Sequence, residues 1–311
     1  MKFIYIGLPI IVGVLILLFL FGLFAFGRVF FHVSFDRRKG DKDFAKNENP
    51  NDKKRPARLW FSEQHLEELE ITSFDKLKLK GYLMSQKSNK LAIICHGYRG
   101  RYYSSAIQAK IFYEHGYDVF LPNNRAHDTS EGDTFTMGSK ERKDLLKWIN
   151  TLVERNPNYE IVLMGISMGA HIVMTTSGEK SLPSNVKCFI EDCGYHRLKD
   201  ILYFATHDRA KVKLSRTTVF FGEIYSALFH GFNFRSSVKK AFKNVKIPGL
   251  FIHGDKDENV PYENMAKNYN AMPKDLYKEM VTFEGVMHNK SQFVEPKYNN
   301  TIINFVDRFI K

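Results

Sequence analysis

The chain has 311 residues, 44% of them hydrophobic and 26% charged, with a formal net charge of +12 and three cysteines. That length suits a leading segment plus one α/β domain; the apolar content excludes a disordered chain, and so few cysteines exclude a disulfide-built scaffold. The charge does not by itself point to nucleic acid: the bases are scattered and no recognised binding motif is present, so attraction to an anionic lipid surface, or a plain solvated surface, explains it better.

No charged residue occurs from Phe3 to Gly27. At about 1.5 Å per helical residue, that run is long enough for a hydrocarbon core of roughly 30 Å. A cleavable signal peptide would have an apolar region of only about 7–15 residues, followed by a small-x-small site. Phe24-Ala25-Phe26-Gly27-Arg28 offers no such site, so residues 1–30 read as an uncleaved single-pass membrane anchor. Lys2 alone precedes the span, whereas Arg28, Arg37, Arg38, Lys39, Lys42 and Lys46 follow it. The positive-inside bias therefore sets the C-terminal domain on the cytoplasmic face of the cell membrane; Asp36, Asp41 and Asp43 count little in that rule. Cys95, Cys188 and Cys193 agree with a reducing compartment. Residues 31–58, above all Asp36 to Arg58, are rich in charge and poor in large apolar side chains, and read as a polar tether.

Behind the tether, residues 59–311 read as one domain. Ile71 to Met84 looks like a two-stranded ribbon turning at Asp75-Lys76. Lys90–Cys95 is an apolar strand, Ser104–Gly116 a helix with a glycine stop, and Tyr117–Pro122 the next strand. Lys140–Asn156 is a helix, with Leu145, Leu146, Ile149, Leu152 and Val153 at helical spacing. Glu160–Met164, Lys187–Asp192, Pro248–His253 and Glu279–Phe283 are further strands. Alternation of this kind implies an α/β fold with a mostly parallel sheet covered on both faces, whose ligands bind beyond the carboxyl ends of the strands.

Gly165-Ile166-Ser167-Met168-Gly169 falls between the strand ending at Met164 and a helix opening at Ala170. A G-x-S-x-G in that setting is the context of a nucleophile elbow, which lifts Ser167 clear of the sheet. A serine hydroxyl needs a histidine to take its proton and an acid to orient that histidine. Of eleven histidines, His32 lies beside the anchor, His65 in a charged stretch, and His171 one turn into the helix after Ser167. His96 and His253 end strands immediately before a glycine. His288 follows the last strand across a short loop, as the base does in the order serine, acid, histidine. The loop after Phe251-Ile252-His253 offers Asp255, Asp257 and Glu258 as the acid, and Asp192 is the alternative after an earlier strand.

His253-Gly254-Asp255-Lys256-Asp257-Glu258-Asn259-Val260-Pro261 resembles the H-G-x-x-D-x-x-V-P signature of α/β-hydrolase-fold serine hydrolases of the serine aminopeptidase and acyl-esterase type, bacterial membrane-anchored hydrolases among them. The resemblance runs from about Ile71 to the end of the chain and implies that Asp257 is the acid. Cys95-His96-Gly97-Tyr98-Arg99-Gly100 is similar to the family's H-G loop, which implies an oxyanion hole formed by the backbone N–H groups of Tyr98 and Met168, with no metal or cofactor. One segment departs: where relatives carry D-x-R-x-x-G-x-S, this chain has Asn123 for the first acid and Asp128 for the glycine, which leaves that loop's conformation open.

From about residue 196 to 236 the alternation breaks, where the fold inserts a cap. Phe220, Phe221, Ile224, Tyr225, Leu228, Phe229 and Phe232 recur at helical spacing. The stripe either packs down onto the domain or, with the basic stretch Arg209–Arg216, touches membrane lipid. In both cases Phe221, Ile224 and Leu228 are expected to wall a site for a hydrophobic acyl ester. The sequence thus reads as a membrane-anchored serine hydrolase of carboxylic esters. Peptidase or thioesterase activity on the same triad, or a non-catalytic tethered interaction protein, are the alternatives. A chain beginning near Leu59 is expected to keep its activity on soluble esters.

Overall fold

The computed structural model describes residues 2–37 and 52–311, apart from the side chains of residues 2–8. Arg38, Lys39, Asp41, Lys42, Asp43 and Lys46 of the expected tether therefore lie outside the described residues. Eight strands form one sheet in the order β1-β2-β4-β3-β5-β6-β7-β8. They are β1 (Glu67–Thr72), β2 (Lys78–Met84), β3 (Lys90–Cys95), β4 (Asp118–Pro122), β5 (Glu160–Ile166), β6 (Val186–Asp192), β7 (Gly249–Gly254) and β8 (Lys278–Phe283). β1 and β2 are antiparallel, β2 also runs antiparallel to β4, and every other neighbour pair is parallel.

The helices, in chain order, are α1 (Lys2–Phe35), α2 (Arg55–Ser62), α3 (Ala106–Glu114), α4 (Glu141–Arg155), α5 (Met168–Ser177), α6 (Leu198–Phe204), α7 (Ser215–His230), α8 (Val238–Ala241), α9 (Glu263–Ala271) and α10 (Lys297–Val306). Strand side chains alternate between two cores. Ile161 and Leu163 of β5 join α4, α5 and α9 on one face. Val162 and Met164 join α2, α3 and α10 on the other. β1 begins at Glu67, earlier than the ribbon expected from Ile71, because Leu69 and Ile71 point inward. Its outward glutamates face lysines of β2: Glu68 lies 2.6 Å from Lys80 and Glu70 3.8 Å from Lys78.

The expected boundaries at the N-terminus need correcting. α1 does not stop near residue 30; it continues to Phe35. Residues 9–35 are long and apolar enough to cross a membrane, but Phe31 and Phe35 are fully buried in the main core. Asp36 and Arg37 follow onto the body, where Arg37 N–H donates to the Asp133 carbonyl at 3.0 Å. Nor is the stretch before Leu59 all tether, since α2 opens at Arg55 with a proline in its first turn and buries Ala57 and Phe61. Composition misled because a few apolar side chains at the right spacing suffice to dock a short segment on a preformed core.

α6 and α7 make the cap between β6 and β7. α7 crosses α1 at two glycines. A Cβ on Gly27 would lie 2.5 Å from the Phe221 carbonyl carbon, and one on Gly222 2.5 Å from the Phe30 ring. Phe24 packs on Tyr225 and Phe229 with ring centroids 5.7 and 6.2 Å apart.

Candidate active site

Ser167 sits at the β5–α5 turn with φ +57° and ψ −113°, a backbone region that non-glycine residues enter only when their surroundings enforce it. The flanking glycines make the turn possible. A Cβ on Gly165 would collide with the Gly169 carbonyl, and one on Gly169 with the Cys95 carbonyl. The Ser167 N–H is tied to the Asp192 carbonyl at 2.8 Å.

Three sequence-distant side chains meet here. His288 Nε2 lies 3.0 Å from Ser167 Oγ, and His288 Nδ1 lies 2.6 Å from Asp257 Oδ2. With the proton on Nδ1 donated to the carboxylate, Nε2 is free to accept from the serine hydroxyl. Asp257 is held by its own loop: Oδ1 accepts the Asn259 and Val260 N–H groups at 2.8 and 2.9 Å. Burial disfavours its charge, yet hydrogen bonds from His253 and His288, attraction to the His288 ring when that ring is protonated, and the Val260 N–H together hold the carboxyl well below its ordinary range. It stays ionised.

His253 is the partner that sequence reasoning missed. Its Nε2 approaches the same Asp257 Oδ2 at 3.0 Å and the Val260 carbonyl at 3.1 Å. Burial opposes its protonation, but the Asp257 bond and the nearby Glu191 and Asp257 charges hold its pKa above the ordinary value. The four-residue spacing between His253 at the end of β7 and Asp257 in the loop after it was the available signal. The alternative acid, Asp192, does not reach His288. It accepts the Tyr298 hydroxyl at 2.7 Å in a fully buried setting that raises its pKa. His171 is structural, its ring nitrogens each 2.8 Å from the Tyr195 carbonyl and the Ser236 hydroxyl.

The amides expected to stabilise an oxyanion flank the serine. Met168 is the first residue of α5, so its N–H has no carbonyl partner within the helix. The Tyr98 N–H, in the loop after β3, makes no hydrogen bond among the described residues. Both residues line a cavity of about 460 Å³ together with Ser167 and His288. Cys193, Asp257 and His288 place one potential ligand atom each within 4.8 Å of one another. That group is poorly suited to a metal ion: burial keeps the Cys193 thiol protonated, and the Asp257–His288 hydrogen bond engages the other two atoms.

The cap residues named from the stripe are not at the site. Ile201, Leu202 and Ala205 from α6 and its continuation form the apolar wall, and Met137 and Val260 also line the cavity. Phe221, Ile224 and Leu228 are absent from it: α7 turns toward α1, and Leu228 remains 69% exposed. Helical spacing identified an apolar stripe but not what it faces. Another unforeseen wall residue is Ser34 of α1. The Tyr98 hydroxyl donates to the Ser34 carbonyl at 2.9 Å and Arg99 to the Val33 carbonyl at 3.1 Å, fastening α1 to the loop that carries the Tyr98 N–H. In the departing loop, Asp128 takes φ +44° where relatives have glycine, a conformation aspartate tolerates better than most residues. Asn123 serves as a scaffold group, accepting the Tyr102 N–H and donating to Thr129, both at 2.9 Å.

A family model described as the alpha/beta hydrolase fold matches residues 91–284. The chain belongs to the alpha/beta hydrolase fold family. It is 25% identical over 290 residues to the protein YqkD of Bacillus subtilis (strain 168), spanning 91% of this chain and 92% of that one. It is 22% identical over 262 residues to the peptidase YuxL of the same strain, matching 77% of this chain but 38% of the relative. Among solved structures, the Pyrococcus furiosus esterase Pf2001 superposes with a TM-score of 0.65 at 23% identity, covering 80% of this chain and 94% of the esterase. Pyrococcus horikoshii acylaminoacyl peptidase superposes with a TM-score of 0.57 at 19% identity, covering 81% of this chain and 43% of the peptidase. Esterases and peptidases thus share this hydrolase's fold.

Proposed function

We propose that this hydrolase is a membrane-anchored serine esterase that cleaves carboxylic esters with a hydrophobic half. The observation that carries the reading is the unbroken Asp257–His288–Ser167 chain of hydrogen bonds, with Ser167 strained into a half-buried turn that lines the cavity. Ser167 Oγ attacks the ester carbonyl as His288 Nε2 takes its proton, and the new oxyanion meets the Tyr98 and Met168 N–H groups. Collapse expels the alcohol, to which His288 returns the proton. Water, activated by the same histidine, then releases the acid from the serine. The wall of Ile201, Leu202 and Ala205 supports an apolar chain beside the scissile bond. The long apolar α1 supports anchorage, and the basic residues after it support a cytoplasmic-facing catalytic body.

A fluorophosphonate probe is expected to label the wild type covalently and to leave Ser167→Ala unlabelled. The wild type should also hydrolyse decanoyl esters with a higher kcat/KM than acetyl esters, since each buried methylene contributes about 0.8 kcal/mol. Equal labelling of both proteins would remove Ser167 as nucleophile. A preference for acetyl esters would remove the hydrophobic substrate.

A further inference from the structure

A second cavity, of about 280 Å³, adjoins the catalytic one and shares Gly97, Tyr98, Ile166 and Asn289 with it. The loop bearing the Tyr98 N–H therefore has space on both sides. The catalytic cavity carries the aliphatic wall of Ile201, Leu202 and Ala205, with Arg209 its one Lys or Arg; the second is lined by Asp52, Lys54 and Arg58, with Tyr103, Ser104 and Gln108. Asp52 and Lys54 come from the segment leading into α2 and Arg58 from its first turns, all within the stretch that the sequence assigns to a tether.

The charges in this second arm do not cancel. Arg58 Nη2 lies 2.5 Å from Asp52 Oδ2, and the other Asp52 oxygen accepts the Lys54 N–H at 2.9 Å. Asp52 is thereby committed to Arg58 and to the backbone. Lys54 Nζ has no carboxylate within 4.0 Å among the described residues. Burial and the neighbouring Lys290 both push the Lys54 pKa down, against the weaker pull of Asp52. A half-buried ammonium whose nearest carboxylate is already engaged by Arg58 and the backbone is costly unless a ligand supplies further negative charge.

Resting on the esterase reading, we propose that Lys54 makes this cavity an anion-binding subsite: one half of the ester is hydrocarbon and lies along Ile201 and Leu202, and the other bears a carboxylate or phosphate and lies against Lys54. The oxyanion loop stands between the two arms, so the scissile carbonyl lies where they meet.

Two pairs of esters test this with the full-length protein in neutral detergent. Decanoyl glycerol phosphate is compared with decanoyl glycerol, which places phosphate on the alcohol half. Decyl hemisuccinate is compared with decyl butyrate, which places carboxylate on the acyl half. The readout is the ratio of kcat/KM for the anionic to the neutral member, in which any general loss of folded protein cancels. The wild type is expected to favour the anionic member of one pair by about tenfold or more, the scale of a charge-assisted hydrogen bond. Lys54→Met should bring that ratio near one, and Lys54→Arg should keep most of it. The responding pair identifies the anion's chemistry and the half that carries it.

Ratios near one for the wild type in both pairs, or a ratio that survives Lys54→Met, would overturn the subsite. A ratio lost instead in Arg209→Met, at the exposed rim of the apolar arm, would also overturn it. Absence of turnover with all four esters would refute the esterase reading. The subsite is then judged by calorimetric binding of decyl phosphate, tighter in the wild type than in Lys54→Met if the cavity holds an anion and equal if it does not.

Discussion

Asparagine in place of Asp257 is expected to lower kcat by about 10⁴-fold on any ester that the wild type cleaves, with little change in thermal unfolding. The magnitude is that of the same change in another serine triad, where the base is left in the wrong tautomer. The geometry here argues for a loss of that order. Asp257 Oδ2 is 2.6 Å from His288 Nδ1 and fixes the proton there, so that Nε2 faces Ser167 as an acceptor. An amide could present an N–H to that nitrogen and reverse the tautomer. The backbone N–H groups of Asn259 and Val260 would still find an oxygen, so the loop should hold. Asp192→Asn provides the comparison. That carboxyl is bonded to Tyr298 and not to His288, so turnover should stay within roughly tenfold of wild type. A crippled Asp192→Asn beside a nearly normal Asp257→Asn would move the acid to the other loop.

Removal of residues 1–58 is expected to destabilise the body and abolish turnover even on soluble esters, contrary to the reading of that segment as anchor and tether. Phe31 and Phe35 are fully buried. Phe35 stacks on Phe234 with centroids 5.3 Å apart, and Phe31 stacks on His230 at 4.2 Å. Truncating a buried phenylalanine costs about 3–5 kcal/mol, so Phe31→Ala and Phe35→Ala should each lower Tm by roughly 10 °C in the full chain. The catalytic loss has a second cause, because the carbonyls of Val33 and Ser34 hold Arg99 and Tyr98 in the oxyanion loop. Thermal unfolding and kcat/KM in detergent, measured on the two point variants and the shortened chain, check both effects. A shortened chain with unchanged Tm and unchanged kcat/KM would mean that α1 only tethers.

What the sequence determined by itself was local. Strands such as Lys90–Cys95 and Asp118–Pro122 are short apolar runs bounded by turn formers, and their alternation with helices left few topologies. The Ser167 turn was legible because its glycines are required within five residues of chain, and the Asp257 loop because its nine residues, 253–261, resemble a family signature that is local in the chain. Only the tertiary structure decided what lies opposite what. α7 shows an apolar stripe in any reading, but its orientation toward α1 depends on a crossing at Gly27 and Gly222, nearly two hundred residues apart. The charged ends of the expected tether looked solvated because composition averages over a window. Docking depends on a few side chains: Phe35 entering a core built from Phe135, Phe232 and Phe234, or Ala57 and Phe61 closing the far face. Lys54 and His253 acquire their surroundings in the same way. His253 meets Asp257 at the end of β7, and Lys54 reaches the cavity beside Tyr98 because α2 docks on the far face of the sheet; contacts of that range are set by the fold rather than by the residues next along the chain.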